Sequence, residues 1–252
     1  MSLDYIEALT NAHSLEALWD MHTACMADYG FDRLIYGYTN FRTDASLGSE
    51  DDFMVLSNHD RDYLDRFLGD GLYFSGPMMR WALNNTGACS WSWVAEQIEN
   101  GRLSDHEMKV FRINAEMGVT AGYTISFPTI SSRTKGAMAM TARRGMSQKD
   151  VDDIWERDGR FIELINNIAH LKILSLPYEY PKRALTKRQR EVLEWVGDGK
   201  TIQDIATLID RTPATVEKHL RLAREALDVE TTAQALLKAS FLHQIYKPES
   251  EA

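Results

Sequence analysis

Residues 176–184, LPYEYPKRA, set Pro177, Pro181 and a basic pair between two stretches of helical spacing, and a regular helix cannot run through them. A chain of 252 residues broken in this way is expected to fold as two bodies, residues 1–175 and 185–252, joined by a linker at 176–184. Charge divides at the same place. Residues 182–247 carry 12 Lys and Arg against 9 Asp and Glu, whereas the rest of the chain carries 16 against 28. The overall net charge of -9 argues against a nucleic-acid partner, but the basic C-terminal segment reverses that argument locally.

Ahead of the linker, helical and strand periodicities alternate. Ser14 can cap a helix in which Leu15, Leu18, Trp19, His22, Met26 and Tyr29 recur at helical spacing. Residues 33–40, RLIYGYTN, and 52–57, DFMVLS, read as strands, the first setting Leu34, Tyr36 and Tyr38 on one face. Residues 58–69 return to helical spacing, with Tyr63 and Phe67 four apart. The SDHE at 104–107 is a capping box opening a helix through Met117, which Gly118 stops. Residues 119–127 and 136–142 follow as strands joined by a polar turn, and Ser147 opens a long amphipathic helix. The prediction is an α+β domain, an α/β/α sandwich with a mostly antiparallel sheet, able to hold a small molecule between sheet and helices. Residues 71–94 hold three of the six tryptophans and are either plain core or the lining of a hole in it.

Residues 185–252 read as an all-α domain of four short helices at 186–198, 202–209, 213–227 and 231–245. Thr201 with Asp204 forms a capping-box pattern, and Thr212 followed by Pro213 supplies an N-cap and a first-turn proline. The tight connection at 210–212 is that of a helix-turn-helix, which makes the third helix the candidate recognition helix. Val216, Leu220, Ala223 and Leu227 are its inward positions. Lys200, Thr201, Arg221 and Arg224 suit phosphate contacts, while Thr215, Glu217 and Lys218 stand where a recognition helix meets base edges. His219 fits either a half-buried hydrogen bond or a DNA contact.

Through LT-x-R-x-REVL, the GKT turn, IA and TV-x-x-H, residues 185–229 resemble the DNA-binding domain of the LuxR family. That resemblance implies a four-helix, helix-turn-helix domain that binds duplex DNA as a homodimer, on a roughly palindromic operator. Leu222 departs from the family's usual Asn, and Gln189 from its usual Glu. The N-terminal domain resembles the autoinducer-binding domain of the same bacterial family, on Tyr63 and Phe67, Gly76-Pro77, Trp91 and the glycines Gly118 and Gly122. The resemblance implies that Trp91 donates its indole N–H to a lactone carbonyl and that Tyr63 and Phe67 line the chamber. Tyr36, Tyr38, Trp81 and Thr141 are further lining candidates. Gly76 occupies the position of the family's Asp, which accepts the amide N–H of an N-acyl-homoserine lactone, and a glycine offers no side chain for that role. Asp65 and Asp70 lie near it in sequence but off the motif.

Enzyme chemistry has no support: there is no glycine-rich phosphate loop, no GxSxG and no HExxH, and the seven histidines lack metal-ligand spacing. No catalytic residue, metal or resident cofactor is expected. Cys25 and Cys89 read as reduced and packed, and no apolar run approaches the ~18–20 residues of a membrane span, so the expected location is cytoplasmic. Three readings follow: a quorum-sensing receptor for an N-acyl-homoserine lactone, a solo regulator sensing another small molecule, or a ligand-independent dimerisation module with a filled core.

Overall fold

The computed structural model describes residues 3–43, 46–69, 71–129, 131–178, 180 and 182–246. The chain divides into two compact units, one of Met1–Leu47 with Met54–Leu176, the other of Gly48–Phe53 with Pro177–Ala252.

The first unit runs α1 (Leu3–Thr10), α2 (Leu15–Asp28), β1 (Phe31–Thr39), β2 (Met54–Ser57), α3 (Arg61–Phe67), α4 (Pro77–Asn84), β3 (Gly87–Ser90), α5 (Ser92–Glu99), α6 (Asp105–Glu116), β4 (Gly122–Ser126), β5 (Lys135–Ala142) and α7 (Gln148–Ser175). The tryptophan-rich stretch thus resolves into a 3-10 turn at Leu72–Ser75, two short helices and an edge strand. Local chemistry fixes the helix starts. The Ser14 hydroxyl accepts from the Ala17 amide, and Ser104 with Glu107 and Ser147 with Asp150 form reciprocal capping boxes at α6 and α7.

The five strands form one sheet in the order β2-β1-β5-β4-β3, every neighbouring pair antiparallel. Strand alternation sends Leu34, Tyr36, Ile125, Met138 and Met140 to one face, where all five are fully buried. Helix α7 covers that face: His170 stacks on Phe127 at 4.1 Å, and Trp155 stacks on Tyr123 at 3.9 Å. Helix α2 joins it through His22, whose Nε2–H donates to Asn166 Oδ1 at 3.1 Å. Helix α4 lies against the opposite face, its Ala82 carbonyl accepting from the Ser126 hydroxyl at 2.8 Å. Two helical layers around an antiparallel sheet make the α/β/α sandwich.

Burial pushes the imidazoles of His22, His59 and His170 down to about 4, so all three are neutral in the fold. Unfolding returns them to their ordinary value near 6.5, so between those two pH values the unfolded chain binds more protons than the folded one. The stability these groups contribute is complete above pH ~6.5 and is lost as pH falls toward ~4, by up to about 1.4 kcal/mol per pH unit for each histidine. Thermal melts between pH 7 and pH 4.5 are expected to show a steadily falling midpoint; a flat profile contradicts the burial of these rings.

The second unit contains a 3-10 turn at Glu50–Asp52, then α8 (Lys187–Gly197), α9 (Ile202–Leu208), α10 (Pro213–Leu227) and α11 (Thr232–Phe241). Each of the four helices begins on a threonine whose hydroxyl accepts a backbone N–H: Thr186, Thr201, Thr212 and Thr231. The inward positions Val216, Leu220, Ala223 and Leu227 are buried, as are Val192, Leu193 and Ile205 on the helices α8 and α9 that pack against α10. The last helix is shorter than the 231–245 read from periodicity. It closes at Phe241, the backbone turns through a positive φ at His243, and the Gln244 amide group bonds the Arg183 carbonyl and the Leu185 N–H instead.

The strand expected at 52–57 begins at Met54, because Asp52 belongs to the 3-10 turn of the second unit. Asp52 is only 4% exposed and accepts from Arg183 Nε at 3.0 Å and Lys238 Nζ at 2.7 Å. Arg183 also reaches Asp228 at 3.2 Å, and Lys182 pairs with Asp51 at 2.9 Å on the surface.

Candidate ligand chamber and DNA-binding face

The sheet face opposite α7 is floored by small side chains. Register sets three rows across it: Arg33, Thr141 and Gly122; Ile35, Ala139 and Thr124; Gly37, Ala137 and Ser126. Ile35, Gly37, Ala137 and Ala139 sit in the middle of the sheet yet remain partly accessible. A Cβ built on Gly37 would meet no atom within 4 Å. A hollow therefore lies over the centre of this face, between β1 and β5.

An aromatic run starts from the Arg33–Thr141 end of this face. His59 lies 3.4 Å from the Thr141 hydroxyl, stacks on Tyr63 at 4.5 Å, and Tyr63 stacks on Phe67 at 5.1 Å. Phe67 then meets Tyr73, which packs on Phe74. The Tyr63 hydroxyl donates to Asn114 of α6 at 3.1 Å, which holds α3 in place. Beside the Arg33 end, a cleft of about 450 Å³ opens between His59, Tyr63, Glu116 and Arg144. Arg33 is itself buried, its guanidinium donating to the Gly118 and Ala142 carbonyls and to Asp32.

Trp91 covers β4. Its indole N–H donates to the Thr124 hydroxyl at 2.9 Å, and its ring lies so close to Gly122 that a Cβ there would approach it to 3.0 Å and the Met140 carbonyl still more closely. Thr141, Tyr63, Phe67 and Trp91 thus belong to one side of the sheet. Tyr36 and Tyr38 do not: both rings pack around His170 on the α7 face, and Tyr36 Oη is hydrogen-bonded to His170 Nδ1 at 2.9 Å. Strand phase puts two tyrosines together but does not say which helical layer they meet. Trp81 is half-buried on α4. Gly76 is buried at the N-cap of α4, its carbonyl accepting from the Met79 and Arg80 amides, with ordinary room for a Cβ. Asp65 points away into solvent beside Arg61, and Asp70 lies outside the described residues. The floor residues Gly37, Ala137 and Ala139 are not among the sequence candidates, although the alternation in GAMAMTA and IYGYT carries their signal.

In the second unit, α9 and α10 are joined through Asp210, a non-glycine residue held at φ 52°. Of the candidate DNA residues, Lys200, Glu217, Lys218 and Arg221 are exposed. Arg221 pairs along the helix with Glu225, and Arg224, half-buried, donates to Thr232 Oγ1 at 3.0 Å. The hydroxyls of Thr201 and Thr215 are engaged in cap chemistry, with Asp204 and Thr212 respectively. His219 is half-buried. The exposed part of α10 is therefore its first two turns and its basic side, with the apolar side given to the core.

Two family models match this chain. The autoinducer binding domain model matches residues 14–173, well over half of its length. The chain belongs to the autoinducer-binding-domain family. A second model, Sigma-70 region 4, matches residues 183–227, the span of the helix-turn-helix. Relatives of this LuxR-type chain include the transcriptional activator protein ExpR of Pectobacterium parmentieri, 23% identical over 73% of this chain and 77% of the relative. The transcriptional activator protein LuxR of Aliivibrio fischeri is 22% identical over 89% and 84%. Among solved structures, Escherichia coli SdiA aligns over 97% of both chains with a TM-score of 0.55 at 13% identity. CepR2 of Burkholderia cenocepacia, an N-acylhomoserine lactone dependent factor, aligns with a TM-score of 0.52 at 18% identity over 68% of this chain and 93% of its own. The protein is a LuxR-type transcriptional regulator, not an enzyme. Among the described residues of this regulator, no helix is long and apolar enough to cross a membrane.

Proposed function

We propose that this regulator binds a small molecule in the hollow over Gly37 and binds a roughly palindromic DNA operator as a cytoplasmic homodimer through α10. The open floor at Gly37 carries the ligand half of the reading. A sheet centre walled by aromatics but floored by glycine and alanine leaves room that a plain core would fill with larger side chains. That room weighs against a ligand-independent module with a filled core. Exposed apolar side chains at Leu164 and Leu171 of α7, and at Leu237 and Phe241 of α11, support self-association. The ligand would act by stabilising the fold that holds it, shifting the population competent for DNA.

Gly37→Leu tests the reading by filling the hollow from its floor. Purified protein is titrated with N-octanoyl-homoserine lactone and with the ester isostere of that compound, in which oxygen replaces the amide N–H. The natural protein is expected to gain about 2.7 kcal/mol at a ligand concentration a hundredfold above Kd, seen as a rise in melting temperature. Gly37→Leu is expected to keep its circular dichroism and lose the response. Binding that survives the substitution places the ligand elsewhere.

A further inference from the structure

We infer that the chamber is built for an amphiphilic anion, an apolar chain ending in a carboxylate that Lys135 receives. This rests on the chamber reading above and names the class of its occupant. Lys135 opens β5 and pairs with Thr39, one row beyond Gly37, Ala137 and Ser126. Strand alternation sets it on the floor side with Ala137 and Ala139, about 7 Å along the strand from Ala137. Its neighbour Gly136 faces the rings of His170 and Phe127 on the α7 side. The lysine side chain turns to the end of α4, where Nζ donates to the Asn85 carbonyl at 3.1 Å. The Ser126 hydroxyl donates to the same carbonyl at 2.7 Å, so the ammonium stands at the Ser126 corner of the floor.

Lys135 is only 9% exposed, yet no carboxylate is among the groups that act on it. Burial, and after it the like charge of Arg42, both hold its pKa below the usual lysine range. The carbonyl end of α4 offers at most about half a negative charge. Asn85 takes one N–H of the ammonium and leaves donors to spare. The fold does not need the lysine for that carbonyl, which the Ser126 hydroxyl already satisfies. A cation buried without an anion is costly, and a carboxylate that enters beside it forms charge-assisted hydrogen bonds in a place that screens them little. A neutral head leaves the cation unanswered. The other end of the face lacks this opening, because the Arg33 guanidinium already donates to Asp32 and to the Gly118 and Ala142 carbonyls. Between the two ends, the half-buried Ile35, Ala137 and Ala139 offer apolar surface to a chain.

Octanoate and octanamide test this, because they match in size and differ in charge at neutral pH. Dissociation constants are measured by calorimetry on the natural full-length protein, on Lys135→Met and on Gly37→Leu. On the natural protein octanoate is expected to bind about tenfold or more tightly than octanamide. Lys135→Met is expected to abolish that preference while keeping octanamide within about threefold, and Gly37→Leu is expected to lose both compounds. Without ligand, Lys135→Met is expected to melt at or above the natural temperature, since it removes a buried charge that no anion answers. A clearly lower melting temperature gives the lysine a structural role and overturns the inference. Octanamide that binds as tightly as octanoate, or a preference that survives Lys135→Met, overturns the ligand class and leaves the chamber in place. Absence of binding by both compounds, or equal binding of octanoate to the natural protein and to Gly37→Leu, overturns the chamber reading and this inference with it.

Discussion

Asp52→Ala is expected to destabilise the C-terminal unit by about 3–5 kcal/mol, the range for removing one member of a buried ion cluster. The carboxylate answers two cations, Arg183 and Lys238, whose side chains are 9% and 11% exposed. Alanine removes the carboxylate that both cations share, leaving Arg183 with the exposed Asp228 at 3.2 Å and with Asp51 at 3.7 Å. The cost therefore comes from two largely buried cations that lose the carboxylate nearest to both. Urea denaturation followed by circular dichroism gives the number, and exchange of the α11 amides places it in this unit. Glu225→Ala is the control: its ion pair with Arg221 is exposed on both sides, and the substitution is expected to leave the midpoint nearly unmoved. Replacing Asp52, Arg183 and Lys238 together by apolar residues of similar size is expected to restore most of the stability, because the charge that remains, on Asp228, is exposed to water. If Asp52→Ala unfolds with the natural midpoint, the buried cluster contributes nothing and the argument from desolvation fails.

Lys218→Ala and Arg221→Ala are expected to weaken operator binding in distinguishable ways. Lys218 stands exposed on the second turn of α10, where a recognition helix enters the major groove. If it reads a base, its loss costs about 1–3 kcal/mol on the operator and little on unrelated DNA. Arg221 is one turn further along and is shared with Glu225. As a phosphate contact it would cost affinity on every sequence and reduce the slope of log K against log salt by about one. Glu225→Gln provides the complementary arm: freeing Arg221 from its carboxylate is expected to strengthen binding at low salt. Unchanged binding by both alanine variants, measured by fluorescence anisotropy over a salt series, would remove α10 from the DNA interface.

What could be read in advance was local. The serines and threonines that open α2, α6, α7, α9 and α10, and the glycine after α6, act within one helical turn, so their chemistry is written in adjacent residues. The strand rhythm of β1 was equally plain. Yet Tyr36 and Tyr38 were expected in the chamber and pack on α7, because a period of two tells which side chains share a face and not which helices cover it. The floor is legible in principle, as small residues alternate with methionines along β5, but that alternation marks a sheet face and does not by itself mark a cavity. The Asp52 cluster had no such trace. Its partners lie 131 and 186 residues away, and contacts at that separation leave no periodicity along the chain.

The helix-turn-helix is not a module that begins at the linker. Six residues from the hairpin connection between β1 and β2 are part of its compact unit, so the chain enters that unit twice. A chimera that exchanges DNA-binding specificity by splicing at residue 176 would transplant Arg183 and Lys238 and leave behind the carboxylate that neutralises them. Grafting the hairpin tip together with the C-terminal segment defines the portable unit, and the splice points for engineering this regulator number three instead of one.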